Sequence, residues 1–317
     1  MKNSLSSLLA LFVLPVILIC CKSETSDPIS VVSEETKTSK SALEKNEKPK
    51  KKAPHPAPDM KKIVAAIPIA TPVAPQKPRK ILVYSKPSSY KHKCIPTGNA
   101  LLKAMAEKTK AFSVDFSDDV KDYNSENLKK YDAILVNNAT HIQKAFTDDS
   151  LKKAFISFIE NGGGFIGIHA ASDGGYEDWP EYTAMIGGSF DGHPWNSKGT
   201  WGISNEDPEH PLLKSFEGKN FMIKDELYKF KDYDRTKLRV LLSINTSVSP
   251  KGKAQRPDND HAVVWVREHG KGRVFYSSMG HNDEVFWNPQ VVAMWLAGFQ
   301  YALGDFKIDT TSLPLKK

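Results

Sequence analysis

From residue 79 onward, short apolar runs alternate with stretches whose apolar residues recur at helical spacing, and polar or glycine-rich turns separate them. Residues 79–84 form a β-branched run of strand length that ends in a polar loop. Pro96 and Thr97 open a helical pattern with Leu101, Leu102 and Met105 on one face, and residues 112–116 alternate as a second strand. Residues 131–137 are apolar enough for a central parallel strand. Thr147, Asp148 and Asp149 suit a helix N-terminus, and Leu151, Phe155, Phe158 and Ile159 follow on one face until Gly162, Gly163 and Gly164 stop the helix. Residues 165–168 make a further buried strand, and 239–244, 262–267 and 273–277 read as later ones. The last two are joined by His269-Gly270-Lys271-Gly272, a hairpin signal for an antiparallel extension. A helix over 288–303, bearing Val291, Met294, Trp295 and Phe299, closes the pattern. The alternation predicts an α/β fold with an open, mainly parallel sheet and helices on both faces, a design that holds ligands beyond the carboxyl ends of its strands.

Ahead of residue 79 the pattern changes. Met1 and Lys2 precede an apolar run from Leu8 to Ile19 that is too short to span a bilayer and fits a secretory signal. Its end, Leu18-Ile19-Cys20-Cys21, is similar to a bacterial lipoprotein signal, with Cys21 as the lipidated residue and Cys20 in place of the usual small residue. Residues 22–78 are rich in Lys, Pro, Ala, Ser and Thr, which cannot bury enough apolar area to offset their ordering entropy, so they read as a flexible linker. The expected organisation is a signal over 1–21, a linker over 22–78, one domain over 79–306 and a tail over 307–317. The expected location is the cell envelope, with the membrane reached through the lipid.

The formal charge of +7 follows this division. Residues 1–80 hold 14 Lys/Arg and 7 Asp/Glu, and the rest of the chain holds 30 of each. A neutral domain argues against nucleic acid as a partner. Only Cys94 lies in the domain, so neither an internal disulfide nor a multi-cysteine zinc site can be built there.

The stretch richest in chemistry is 162–171, where Gly167-Ile168-His169 puts a titratable side chain on a tight turn after a strand. A glutamine amidotransferase would carry its cysteine at this place, so thiol-dependent glutamine hydrolysis is excluded. Five ordered motifs then coincide: Tyr90-Lys91-His92, the 162–171 elbow, Ile186-Gly187-Gly188-Ser189-Phe190 with Asp191-Gly192-His193-Pro194, Asp225-Glu226-Leu227-Tyr228, and 272–276 running to Ser278-Met279-Gly280-His281. Together they resemble the ThuA-like, or trehalose-utilisation, family over about residues 79–306. The resemblance implies a flavodoxin-like fold of the class I glutamine amidotransferase type. It also implies a role in the use of trehalose or related glycosides, often beside an oxidoreductase that makes 3-keto sugars.

Histidines after strand ends can move protons near neutrality. On this basis His169, Glu226 and His281 are the expected catalytic residues, and His92, His193 and Trp195 the expected contacts to a small carbohydrate. Trp179, Trp201 and Trp287 lie among the same motifs and could also stack on a sugar ring, whereas Trp265 and Trp295 fit core patterns. A keto group acidifies the neighbouring C–H, so elimination or hydration needs positioned acids and bases and no nucleophile. The same His92, His169, His193, Glu226 and His281 could instead hold a divalent metal such as zinc in a hydrolase, since imidazole and carboxylate are its usual ligands after thiolate. A non-catalytic sugar-binding lipoprotein is the third alternative. Asp225, His210 and His261 read as structural, and Arg273 as the partner of a carboxylate at the hairpin.

Overall fold

The computed structural model describes residues 55–249 and 256–315. The expected signal, the expected lipidation site Cys21 and the lysine-rich part of the expected linker up to residue 54 lie outside the described residues.

Helix α1 (Met60–Ala66) comes first, followed by strand β1 (Lys80–Tyr84), α2 (Ile95–Thr109), β2 (Ser113–Phe116), the single turn α3 (Ser125–Leu128) and β3 (Ala133–Asn137). Next are α4 (Asp149–Glu160), β4 (Gly164–Ile168), α5 (Pro180–Ile186), β5 (Ser189–Phe190), β6 (Thr200–Asn205), β7 (Phe221–Lys224) and β8 (Phe230–Lys231). Strands β9 (Arg239–Ile244), β10 (Ala262–His269) and β11 (Gly272–Ser277) and helix α6 (Pro289–Ala302) complete the order. Nine strands form one sheet in the order β2-β1-β3-β4-β11-β10-β9-β6-β7, while β5 and β8 pair by themselves. The first five are parallel, and from β10 outward every pairing is antiparallel. The fold is thus the mixed, mostly parallel α/β sheet that the apolar runs predict, with the hairpin β10–β11 turning at 270 and 271.

The strands β1, β3 and β4 are buried along almost their full lengths because helices cover both faces. Over one face, α2 and α6 pack Leu101, Met105, Trp295 and Phe299 against Ile81, Leu135 and Phe275. Over the other, Phe155 of α4 and Tyr182 of α5 join Phe146, Phe165 and Trp179. Helix ends follow local chemistry: Asp148 caps α4 by accepting the Ser150 N–H at 2.7 Å, and Asn288 caps α6.

One boundary needs correction. Residues 55–78 are not a free linker but an ordered arm on the domain. Ile63 and Ile67 are buried in the α2/α6 core, Asp59 caps α1, and the Lys108 ammonium donates to the carbonyls of Val64 (3.0 Å) and Ile67 (2.7 Å). His55 lies 2.6 Å from Asp283, and Lys62 sits over the Trp287 ring. Two well-spaced isoleucines suffice to seat a short helix that composition assigned to the linker. Past α6, Asp309 and the Thr311 carbonyl bind Arg239, so the tail packs as well. Among the described residues Arg273 forms no ion pair with a carboxylate; it donates to the Ala302 and Gly162 carbonyls and ties the hairpin to the ends of two helical segments.

Candidate functional site

Three loops leaving the carboxyl ends of β1, β4 and β11 carry His92, His169 and His281, and the loop after β7 brings Glu226 to them. One ligand atom from each of these four residues lies within 4.8 Å of all the others. His281 Nδ1 is 3.3 Å from His169 Nε2 and 3.2 Å from a Glu226 oxygen, and His169 Nε2 is 3.8 Å from that same oxygen. His92 packs edge-to-face on both His169 and His281 at 5.0 Å. The other Glu226 oxygen faces His193 Nδ1 at 3.5 Å. Five of the six expected site residues are therefore brought together.

The sixth is not. Trp195 is fully buried, with its ring against His261, so it offers no face to a ligand and serves as packing under the 193–195 loop. Trp179 is likewise buried, among Phe146, Phe155 and Tyr182, and Trp201 spends its N–H on the Asn196 and Asp225 carbonyls. Large apolar rings beside a motif bury themselves where a core is within reach.

The backbone explains how the imidazoles converge. His169 sits at φ +47°, the left-handed region a non-glycine residue enters only when its surroundings enforce it, and it begins a short 3-10 turn through Ser172. Gly280, at φ +127°, lets the β11 loop pass close by: a Cβ there would stand 2.9 Å from Ile168 Cγ2. His169 Nδ1 lies 2.6 Å from the Ser278 carbonyl, which can only accept, so the proton is on Nδ1 and the Nε2 lone pair faces His281 and Glu226. The Tyr228 ring lies 4.2 Å from His169 and walls one side.

Burial sets the charge states. His169 is held well below the ordinary imidazole range, first by desolvation and then by His92 and His281. His92 is pushed down to about 3, mainly by burial and then by His281 and His193, and its Nδ1 is buried without a hydrogen-bond partner. Neutral imidazoles beside a carboxylate are the donor set of a divalent cation. Metal–ligand bonds of 2.0–2.1 Å in a tetrahedron separate the donors by about 3.3 Å, close to the distances among His169, His281 and Glu226.

Asp225, read as structural in the sequence, is the residue that ties these loops together. Fully buried, it accepts the N–H groups of Gly280 (2.7 Å), His281 (3.1 Å) and Asn282 (2.8 Å). Burial raises its carboxyl to about 7 against the pull of those donors. The Asn282 amide in turn reaches the Ser197 and Lys224 carbonyls, closing a clamp between the loops that carry His193, Glu226 and His281. No sequence spacing announces such contacts, because they join residues 55 to 85 positions apart.

A larger open cleft, about 950 Å³, runs along α5 between Tyr176, Lys231 and Arg267. It shares no residue with the histidine cluster. Volume alone does not make a reactive site; converging titratable groups with shifted proton affinities do.

A mostly parallel, flavodoxin-like α/β sheet whose carboxyl edge presents three histidines and a glutamate, with no thiol at the elbow, defines an α/β domain with an imidazole- and carboxylate-lined site. The ThuA family, described as trehalose utilisation, matches residues 80–302, and the chain belongs to it. That membership ties the protein to carbohydrate utilisation. Among solved structures, a ThuA-like protein from Bacteroides uniformis aligns with TM-score 0.60 at 24% identity, covering 72% of this chain and 93% of that one. A second, from Parabacteroides merdae, aligns with TM-score 0.51 at 16% identity over 70% and 90% of the two chains. Both show the shared fold. No curated protein matches the chain.

Proposed function

We propose that this chain is a carbohydrate-processing enzyme whose His92, His169, His281 and Glu226 hold a divalent cation, and whose His193 moves the proton. The substrate class is a glycoside or its keto derivative. The observation that carries this reading is the convergence of four donors within 4.8 Å, one of them His169 with its Nδ1 proton committed to the Ser278 carbonyl. Three imidazoles and a carboxylate drawn this close together are the donor set that a divalent cation takes.

A divalent cation bound there would polarise a carbonyl or hydroxyl oxygen of the sugar. The side chains divide the remaining work. His169 and His92, buried and neutral, act as fixed donors, and a buried group cannot exchange protons readily with solvent. His193 differs: its side chain is 53% exposed, and its Nδ1 faces Glu226. It can take a proton from a carbon beside a carbonyl, or give one to a leaving glycosidic oxygen, with Glu226 stabilising the imidazolium. This moves the proton-transfer role expected of His169 to His193. Envelope anchoring through the signal-like start is part of the same proposal, with an oxidoreductase that makes keto sugars as a neighbour.

Metal analysis of the purified chain tests the reading. Stoichiometric zinc or a similar ion, lost in His281→Ala and Glu226→Gln, is the expected result, together with turnover of a keto-glycoside panel that a chelator abolishes. Turnover that persists undiminished in metal-free protein would instead favour a His169–Glu226–His281 acid–base site, which their 3.2–3.8 Å contacts also permit.

A further inference from the structure

Once Trp195 and Trp179 are taken into the core, a phenol ring open to solvent still stands at the rim of the site. Tyr90, in the loop after β1, is 58% exposed, the most exposed aromatic side chain among the described residues. It is not exposed because its loop is loose. The Ser88 N–H donates to the Thr140 carbonyl at 2.9 Å, and the Thr140 hydroxyl donates to the Tyr90 carbonyl at 3.1 Å, so the loop is pinned on both sides of residue 89 to the segment after β3. The Tyr90 ring meets His92 edge-to-face at 4.8 Å, and His92 meets His169 and His281 at 5.0 Å. Those face Glu226, and Glu226 faces His193. Tyr90 and His193 therefore stand at opposite ends of one chain of contacts, with the buried donors between them.

Exposing a tyrosine on a pinned loop forgoes apolar burial, a cost that a ligand offsets when it covers the ring. His92 meets the Tyr90 ring at 4.8 Å with the two planes near perpendicular, and the 58% exposure of Tyr90 leaves ring surface open on the solvent side. The partner that fits has a flat apolar surface on one side and hydroxyls around its edge, because the polar groups beyond Tyr90 are the imidazoles and the Glu226 carboxylate. A pyranose ring has that form: axial C–H bonds make one face apolar, while ring hydroxyls point outward.

We infer that Tyr90 is the stacking platform of a pyranoside subsite, holding the sugar's C–H face so that its hydroxyl edge points toward Glu226 and His193. This rests on the reading of the cluster as a carbohydrate site and adds to it the ring form of the substrate and the side from which it is held. An open-chain polyol with the same hydroxyls lacks the flat face and gains nothing from Tyr90.

The test is binding of trehalose, methyl α-glucoside and sorbitol to the full chain by calorimetry, for the wild type, Tyr90→Ala, Tyr90→Trp and Tyr90→Phe, with metal content measured on each. Loss of the ring should weaken both pyranosides about five- to tenfold, the size of an aromatic stacking contact. Tyr90→Trp and Tyr90→Phe should restore binding, and sorbitol should bind weakly and alike to all four proteins. Metal content should not change, which separates the platform from the donor cluster. Equal pyranoside affinity in wild type and Tyr90→Ala, or sorbitol binding as tightly as the pyranosides, would overturn the platform while leaving the metal result to judge the cluster on its own.

Discussion

The two halves of the sheet build the site in different ways. The parallel half, β2-β1-β3-β4-β11, supplies three imidazoles, each on a loop that leaves a buried strand's carboxyl end and is placed by local turns. The antiparallel half, β10-β9-β6-β7, supplies the carboxylate of Glu226, and the loop leading into β6 supplies His193; the two segments are paired to each other by backbone hydrogen bonds that continue from β5 and β8, Leu227 with Trp195 and Lys229 with Gly192. Glu226 is positioned by its neighbour Asp225, whose carboxyl gathers the amides of the β11 loop. The difference teaches that a parallel sheet offers ligand positions almost by topology, whereas groups recruited from an extension must be tied in by long-range polar contacts.

The largest expected effect comes from cutting that tie. Asp225→Ala leaves three backbone N–H groups of the β11 loop without their acceptor, two of them at 2.7 and 2.8 Å in the native protein. Each buried orphan donor costs about 1–3 kcal/mol, so the variant should lose at least about 3 kcal/mol of stability in denaturant titration. It should also lose metal through the displaced His281. Asp225→Asn, which keeps an acceptor oxygen, should recover part of both; if Asp225→Ala kept full stability, the two halves would be joined by something else.

Next in size is the arm, which packs on the helices α2 and α6. Ile63→Ala removes a fully buried side chain between α1 and the α2/α6 core and should cost about 2–4 kcal/mol, seen as a lowered midpoint. The family match begins at residue 80, so a chain cut there keeps the matched region yet exposes the seat of Ile63 and Ile67. Such a truncation should be less stable than the full chain, and equal stability would return residues 55–78 to the status of a linker. A smaller change tests the elbow itself. Gly280→Ala meets Ile168 Cγ2 at 2.9 Å and strains a φ of +127°, for about 1–3 kcal/mol and a measurable fall in metal affinity as His281 is pushed away.

The same contrast decides what the sequence could disclose. In the parallel half, β1, β3, β4, α2, α4 and α6 announce themselves because a strand covered on both faces is apolar throughout and its covering helix is apolar on one side. Between residues 189 and 231 the strands β5, β6, β7 and β8 went unpredicted. Strands β6 and β7 lie at the sheet's edge, where Thr200 and Met222 are exposed, and β5 and β8 are two-residue strands paired apart from it, so no continuous apolar run marks any of the four. Helix α1 was hidden by its lysine- and proline-rich surroundings. For the site, ordered motifs found the four histidines and Glu226, but not that Trp195 would turn inward, because exposure depends on what packs above a ring and not on its neighbours in sequence. Tyr90 was visible only as part of a motif.

The smallest effect concerns the arm's anchor and carries a sign. Burial alone would raise the Asp132 carboxyl, but Lys77, the Lys80 N–H and Arg79 outweigh it and hold it below its ordinary value of 3.8. Arg79 also reaches Asp305, so this carboxylate helps fasten the start of β1 and the end of the arm to the sheet. A carboxyl depressed in the folded state contributes stability that is complete above the unfolded value and is lost as pH falls through the folded one. The stability difference between wild type and Asp132→Asn should therefore be flat above about pH 5 and shrink below about pH 4. Its size should stay under about 1 kcal/mol, because Lys77 is 60% exposed and solvent screens its share. Measured by denaturant titration across that range, a gap that widened on acidification would mean that burial, not the cations, governs Asp132. The arm would then rest on its other contacts, the burial of Ile63 and Ile67 and the Lys108 bonds to the Val64 and Ile67 carbonyls.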